Sequence, residues 1–117
     1  MSSARRWMFA SAVLMAATSI GVGCSSGGSS GAVPSDPVLA QGQQIYQQNC
    51  ASCHGKAGGG GLGPKLAGLV AKKYPNIADQ EAVIINGRSS MPKFGGRLSA
   101  EEITAVARYE REFLGTK

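Results

Sequence analysis

From residue 36 onward the apolar positions recur at intervals of three and four, the period of a helix buried on one side. Leu39, Gly42, Ile45 and Tyr46 fall on one face of a segment that opens at Asp36-Pro37 and runs to about Asn49. Asp suits the cap and Pro the first helical position. A short helix is expected over Leu66–Lys73, ending ahead of Pro75 because Tyr74 precedes a proline. A third starts near Asp79, with Glu81 in its first turn, and stops at Gly87. Its apolar side is Ala82, Val83 and Ile84 or Ile85. The last helix is the clearest. Ser99-Ala100-Glu101-Glu102 reads as a capping box, and Ile103, Val106, Ala107, Tyr109 and Phe113 follow at helical spacing up to Gly115. No run alternates with a period of two, and no segment repeats. The fold class is all-α, with the two end helices packed across each other and Gly-rich loops between them.

The first residues follow another pattern. Arg5 and Arg6 precede Trp7–Gly23, which carries no charge. A basic start, an apolar middle and small residues before a break form an export signal, assigned to residues 1–23. As a helix this apolar run reaches about 25 Å, short of the roughly 30 Å hydrocarbon core, so a cleaved signal fits better than a permanent span. The surroundings of Arg5-Arg6 fit a twin-arginine signal poorly. Cys24 follows Gly21-Val22-Gly23 and precedes a Ser/Gly tract, as in a bacterial lipoprotein signal whose cysteine receives lipid. Gly21 stands where such signals carry an aliphatic residue. An ordinary cleavage site at Gly21-Val22-Gly23, or a Cys24 left as a free thiol, therefore stays open. Residues 24–35 cannot build a core and read as a flexible linker with a reach of about 20 Å. Residues 36–117 form the folded domain.

Charge and composition narrow the class. The net charge of +5 drops once Arg5 and Arg6 are set aside, leaving ten Lys/Arg against seven Asp/Glu. That excess, with no basic run interleaved with aromatics, gives no nucleic-acid surface. Seventeen glycines and 6% aromatics leave few large residues for a core, so a cofactor or cross-link is expected to assist.

The chemistry lies in Cys50-Ala51-Ser52-Cys53-His54. The C-x-x-C-H spacing reads as covalent attachment of haem c. The two thiols add to the two vinyl groups, and the adjacent His54 is carried beneath the iron as an imidazole ligand. A thioredoxin-like pair needs a strand context that is missing. A zinc site needs more ligands than the domain holds, since His54 is the sole histidine and no cysteine follows Cys53. A Cys50–Cys53 disulfide would close too short a loop to stabilise much. Gly55–Pro64 is a Gly-rich loop without the Lys-Ser/Thr ending of a phosphate cradle. Once the leader is removed, Met91 is the one methionine left, in a polar loop between two helices where a core role is a poor fit. Its soft sulfur suits the second axial position on iron and raises the potential. With both axial positions filled, outer-sphere electron transfer is favoured over peroxidase or gas-binding chemistry.

These residues resemble the small class I mono-haem cytochromes c of bacteria over roughly residues 36–117. The likeness rests on Gly42 and Tyr46 before Cys50–Gly55, on Gly63-Pro64-Lys65-Leu66, on Asn86–Pro92, and on Leu98–Ile103 with Tyr109. It implies that the end helices cross with Gly42 facing Tyr109 or Val106, and that the Pro64 carbonyl accepts a hydrogen bond from the free ring nitrogen of His54. It implies a one-electron carrier, not an enzyme, that moves electrons between membrane respiratory or photosynthetic complexes. A fixed relay subunit of an oxidase or reductase is the alternative. Leu62, Leu66, Leu69, Ile84, Ile85 and Phe94 would pack on the haem, and Arg88, Lys93 and Arg97 are neighbours for its propionates. Lys56, Lys65, Arg88 and Lys93 would form a basic rim for transient redox protein partners. A monomer is expected, outside the cytoplasm and held at the membrane through lipid on Cys24, with no small-molecule substrate.

Overall fold

The computed structural model describes residues 32–114. The export segment, Cys24, most of the linker and Gly115 lie outside the described residues.

Among the described residues five helices follow one another: α1 (Pro37–Asn49), α2 (Ala51–His54), α3 (Val70–Lys73), α4 (Ile77–Asn86) and α5 (Ala100–Glu112). Among the described residues there is no strand, and only isolated bridges join Arg88 to Met91 and Gly95 to Leu98. Local chemistry sets the helix starts. The Asp36 carboxylate accepts from the amides of Val38 at 2.8 Å and Leu39 at 3.4 Å, filling donors that a helix start leaves open. Those amides, above all that of Val38, together with Arg108, hold the Asp36 carboxyl below its usual range. At α5, Ser99 Oγ accepts from the Glu102 amide at 3.2 Å, and the Glu102 carboxylate accepts from the Ser99 amide at 2.8 Å. This is the reciprocal capping box expected from the sequence.

The core lies where α1 meets α5. Ile45 and Tyr46 of α1 face Ile103, Ala105, Val106, Ala107 and Tyr109 of α5. Tyr46 and Tyr109 rings meet at 5.5 Å between centroids, tilted by 51°. The approach is closest at Gly42. A Cβ there would lie 2.7 Å from the Ala105 carbonyl carbon and 2.8 Å from Tyr109 Cβ. The nearest partners of Gly42 are thus Ala105 and Tyr109, the latter one of the two that the resemblance implied.

Three expectations are corrected. The helix expected from Leu66 begins at Val70, because Gly68 takes a φ of +73° that no helix accommodates. Helix α4 begins two residues before Asp79, capped by Asn76, whose side chain accepts from the Ala78 amide at 3.1 Å. Its buried side is Gln80 and Ile84, whereas Ala82 is exposed.

Candidate functional site

Cys50 closes α1, and α2 carries Cys53 and His54 directly behind it. The Gly-rich loop folds back over this turn. Gly60 donates to the His54 carbonyl and Gly63 to the Cys53 carbonyl, each at 2.8 Å. Tyr46 Oη donates to the Gly55 carbonyl at 2.7 Å and ties the loop to α1. Gly63 lies so close that a Cβ would meet His54 Cε1 at 2.7 Å and Nδ1 at 2.9 Å. The next residue supplies the contact that fixes the imidazole: His54 Nδ1–H donates to the Pro64 carbonyl at 2.8 Å. A carbonyl oxygen only accepts, so the proton is on Nδ1 and Nε2 keeps its lone pair.

On the other side, Met91 sits in the turn after α4. Its amide donates to the Arg88 carbonyl at 2.9 Å, and its carbonyl accepts from the Arg88 amide at 3.2 Å. Ser89, in the same turn, has a φ of +54°. The loop beyond is anchored to α4 by Phe94 and Gly95, whose amides donate to the carbonyls of Ile84 and Ile85 at 3.0 Å.

One cavity of about 930 Å³ opens between these parts, walled by Cys50, Cys53, His54, Met91 and Pro64 together with Leu62, Leu66, Leu69, Ile84 and Phe94. Drug-sized and cofactor sites span roughly 300–1,000 Å³, so a single large apolar plate fits. All five chemistry-bearing residues of the sequence reading that lie among the described residues meet on it. Cys50 and Cys53 are unbonded thiols. Burial pushes the Cys50 thiol up to about 12, the opposite of the low value that a thiolate redox pair requires. Among the described residues no cluster of three His, Cys, Asp or Glu side chains could hold a metal by itself.

Some expectations shift here. Ile85 is not on the cavity; it is 40% exposed, and its Cγ2 would lie 2.9 Å from a Cβ at Gly95. Arg88 and Arg97 reach the cavity wall, as Lys65 does, and Lys93 and Lys56 do not. Arg97 also stacks over Phe94, 5.1 Å from the ring centroid. Among the wall residues to which the sequence reading assigned no role at the site are the buried Gln80 and Glu110. A buried glutamate in a helix rich in exposed charge leaves no mark in the hydrophobic pattern. Its position one residue after Tyr109, on the packed face, was the available signal.

The cavity brings the C-x-x-C-H residues and Met91 together against apolar walls. Residues 37–109 match the family model described as "Cytochrome C oxidase, cbb3-type, subunit III". The chain belongs to the class I c-type cytochromes. It is 43% identical over 79 residues to cytochrome c6 of Anabaena variabilis, covering 58% of this chain and 83% of that protein. It is 40% identical over 77 residues to cytochrome c6 of Diacronema lutheri, covering 61% and 90% respectively. The solved cytochrome c6 of the diatom Phaeodactylum tricornutum superposes with a TM-score of 0.54 at 35% identity, covering 62% of this chain and 88% of that one. Cytochromes of this class carry one covalent haem c and pass single electrons to and from redox partners. This cytochrome is accordingly an electron carrier and not an enzyme.

Proposed function

We propose that Cys50 and Cys53 would hold the haem of this cytochrome through thioethers, and that His54 Nε2 and the Met91 sulfur would serve as the ligands of its iron. The observation that carries the reading is that these four residues share one apolar cavity and that Pro64 holds the His54 proton on Nδ1. When bound, haem supplies a reversible one-electron change at iron. The chain does the rest. The Pro64 carbonyl orients the imidazole and raises its basicity. The Met91 thioether, as a soft ligand, would favour the ferrous state. Leu62 is 91% exposed at the cavity mouth. Lys65 and Arg88 also line the cavity, a basic contribution that steers brief docking with acidic faces of redox partners. Such contacts bury less than about 1,200 Å².

We further propose export through residues 1–23 and a lipid anchor on Cys24, with 24–35 as the tether of a monomer that shuttles between membrane respiratory or photosynthetic complexes. No helix of the described residues is long and apolar enough to cross a membrane. The description of the matching family favours a second reading, a fixed relay subunit of an oxidase. Co-purification with a membrane complex after detergent extraction separates the two. Intact mass of the membrane-fraction protein tests the anchor and the covalent haem together; a haem-free mass or an unacylated N-terminus overturns the corresponding part. Met91→Ala is expected to abolish the sulfur-to-iron charge-transfer band of the ferric protein, and a band unchanged by this substitution refutes Met91 as a ligand.

A further inference from the structure

Electron transfer uses Cys50, Cys53, His54 and Met91, and it leaves one buried ionisable group on the same cavity without a task. Glu110 is 6% exposed in the last turns of α5, and it is one of the residues that line the cavity. It accepts one hydrogen bond, from Gln80 Nε2 at 2.7 Å. Gln80 is itself buried, and its Oε1 accepts from Arg111 at 3.2 Å. Arg111 also donates to the carbonyls of Tyr74 at 2.7 Å and Pro75 at 3.0 Å. The ion pairs found among the described residues belong to Arg108, with Asp36 and Glu112, so no cation neutralises Glu110 directly.

We propose that Glu110 couples proton binding to electron transfer: its carboxylate takes one proton from water when a redox partner delivers one electron to the haem iron, and releases it when the electron leaves. The inference rests on the haem occupying this cavity. Adding an electron makes the cavity more negative by one charge, and a carboxylate on its wall, screened by little water, is then favoured in the protonated form. One electron from the partner protein and one proton from solvent balance the step. Burial pushes the Glu110 carboxyl up to about 7, against the single hydrogen bond from Gln80, which lowers it. Both forms are therefore within reach of neutral pH.

Other groups face Glu110. Tyr46 and Cys50 on the α1 side feel its charge, and Cys50 has no titrating proton once it is a thioether. Helix α4 contributes the neutral Gln80, and its Glu81 is held away by Thr104 Oγ1 at 2.8 Å. Lys73 of α3 and, from the loops after α4, Arg88 and Arg97 share the cavity wall. On α5 itself the neighbours are Tyr109 and Arg111. The haem propionates are the competing source, and the test must separate them.

The experiment is potentiometry of the haem-loaded protein from pH 5 to 9, after its absorption spectrum has shown bound haem and the Met91 band; a protein lacking these refutes the haem reading and not the coupling. The wild-type potential is expected to fall with pH around neutrality, approaching the limit of about 59 mV per pH unit for one proton per electron. Glu110→Gln keeps an acceptor for Gln80 and is expected to flatten that segment. Gln80→Leu, which removes the bond favouring the charged form, is expected to move it to higher pH. A slope retained in Glu110→Gln assigns the proton to the propionates and overturns the proposal, as does a flat wild-type profile. Should Glu110→Gln fail to accumulate, the redox-difference infrared spectrum of wild type with carboxyl-labelled glutamate decides: a labelled carboxylic-acid band in the reduced form supports the assignment, and its absence overturns it.

Discussion

Gly42 has no side chain because the backbone of α5 occupies the space one would fill. Alanine would gain about 1 kcal/mol of helix propensity there. It would also have to displace the Ala105 carbonyl and Tyr109 Cβ, neither of which is the loose end of a flexible chain. Overpacking of this kind costs about 1–3 kcal/mol, so the steric effect wins. Gly42→Ala is expected to lower the denaturant midpoint of the holo-protein with an unchanged slope, and a stabilised variant would show that the two helices can part at little cost. Much at this scale was legible from residue type: C-x-x-C-H named its own chemistry, and a glycine inside an apolar helical face announced a close approach. Glu110 was legible only as a position that continues the face of Ile103, Val106 and Ala107; the packing of α4 on α5 is what buries it.

Among the elements, α5 is specified most fully by its own sequence. Ser99 and Glu102 fix its first turn in a reciprocal bond pair, and the apolar stripe from Ile103 to Tyr109 faces α1. Ser99→Ala is expected to cost about 1 kcal/mol, which for a domain of this size lowers the thermal midpoint by about 4–8 °C. Ser99→Asp should keep most of that stability, and an Ala variant melting with wild type would mean that the cap is idle. Helix α3 is the contrary case. Its four residues hold no nucleus of their own, and its start depends on Gly68 and on a loop whose Leu66 and Ala67 amides bond to the Gly58 carbonyl at 2.9 and 3.0 Å. Periodicity extended it to Leu66 because the turn there mimics helical spacing without helical dihedrals.

For the molecule as a whole, the cavity decides. Its walls belong to every helix except a few turns of α1 and α5, and it measures about 930 Å³. Without a group filling it, the apolar lining side chains lose packing partners, and a small domain has only about 5–15 kcal/mol of stability in all. The α1–α5 contact alone is a small core. A Cys50→Ala/Cys53→Ala protein, unable to retain haem covalently, is therefore expected to lose most of its helical far-ultraviolet circular dichroism. Native-like helicity in that protein would show that the polypeptide folds without its cofactor.

The residue types and spacings by themselves determined the helical class, the caps at Asp36 and Ser99, the haem motif and Met91 as the candidate opposite ligand. All of these are encoded within a few consecutive residues, where periodicity and local hydrogen bonding act. Tertiary structure alone decided which of Ile84 and Ile85 faces the cavity, which basic side chains reach its wall, and that Glu110 is buried beside Gln80. These are long-range outcomes of how α4 and its following loop settle on α5, and burial converts a solvated carboxylate into one whose charge the pocket must feel.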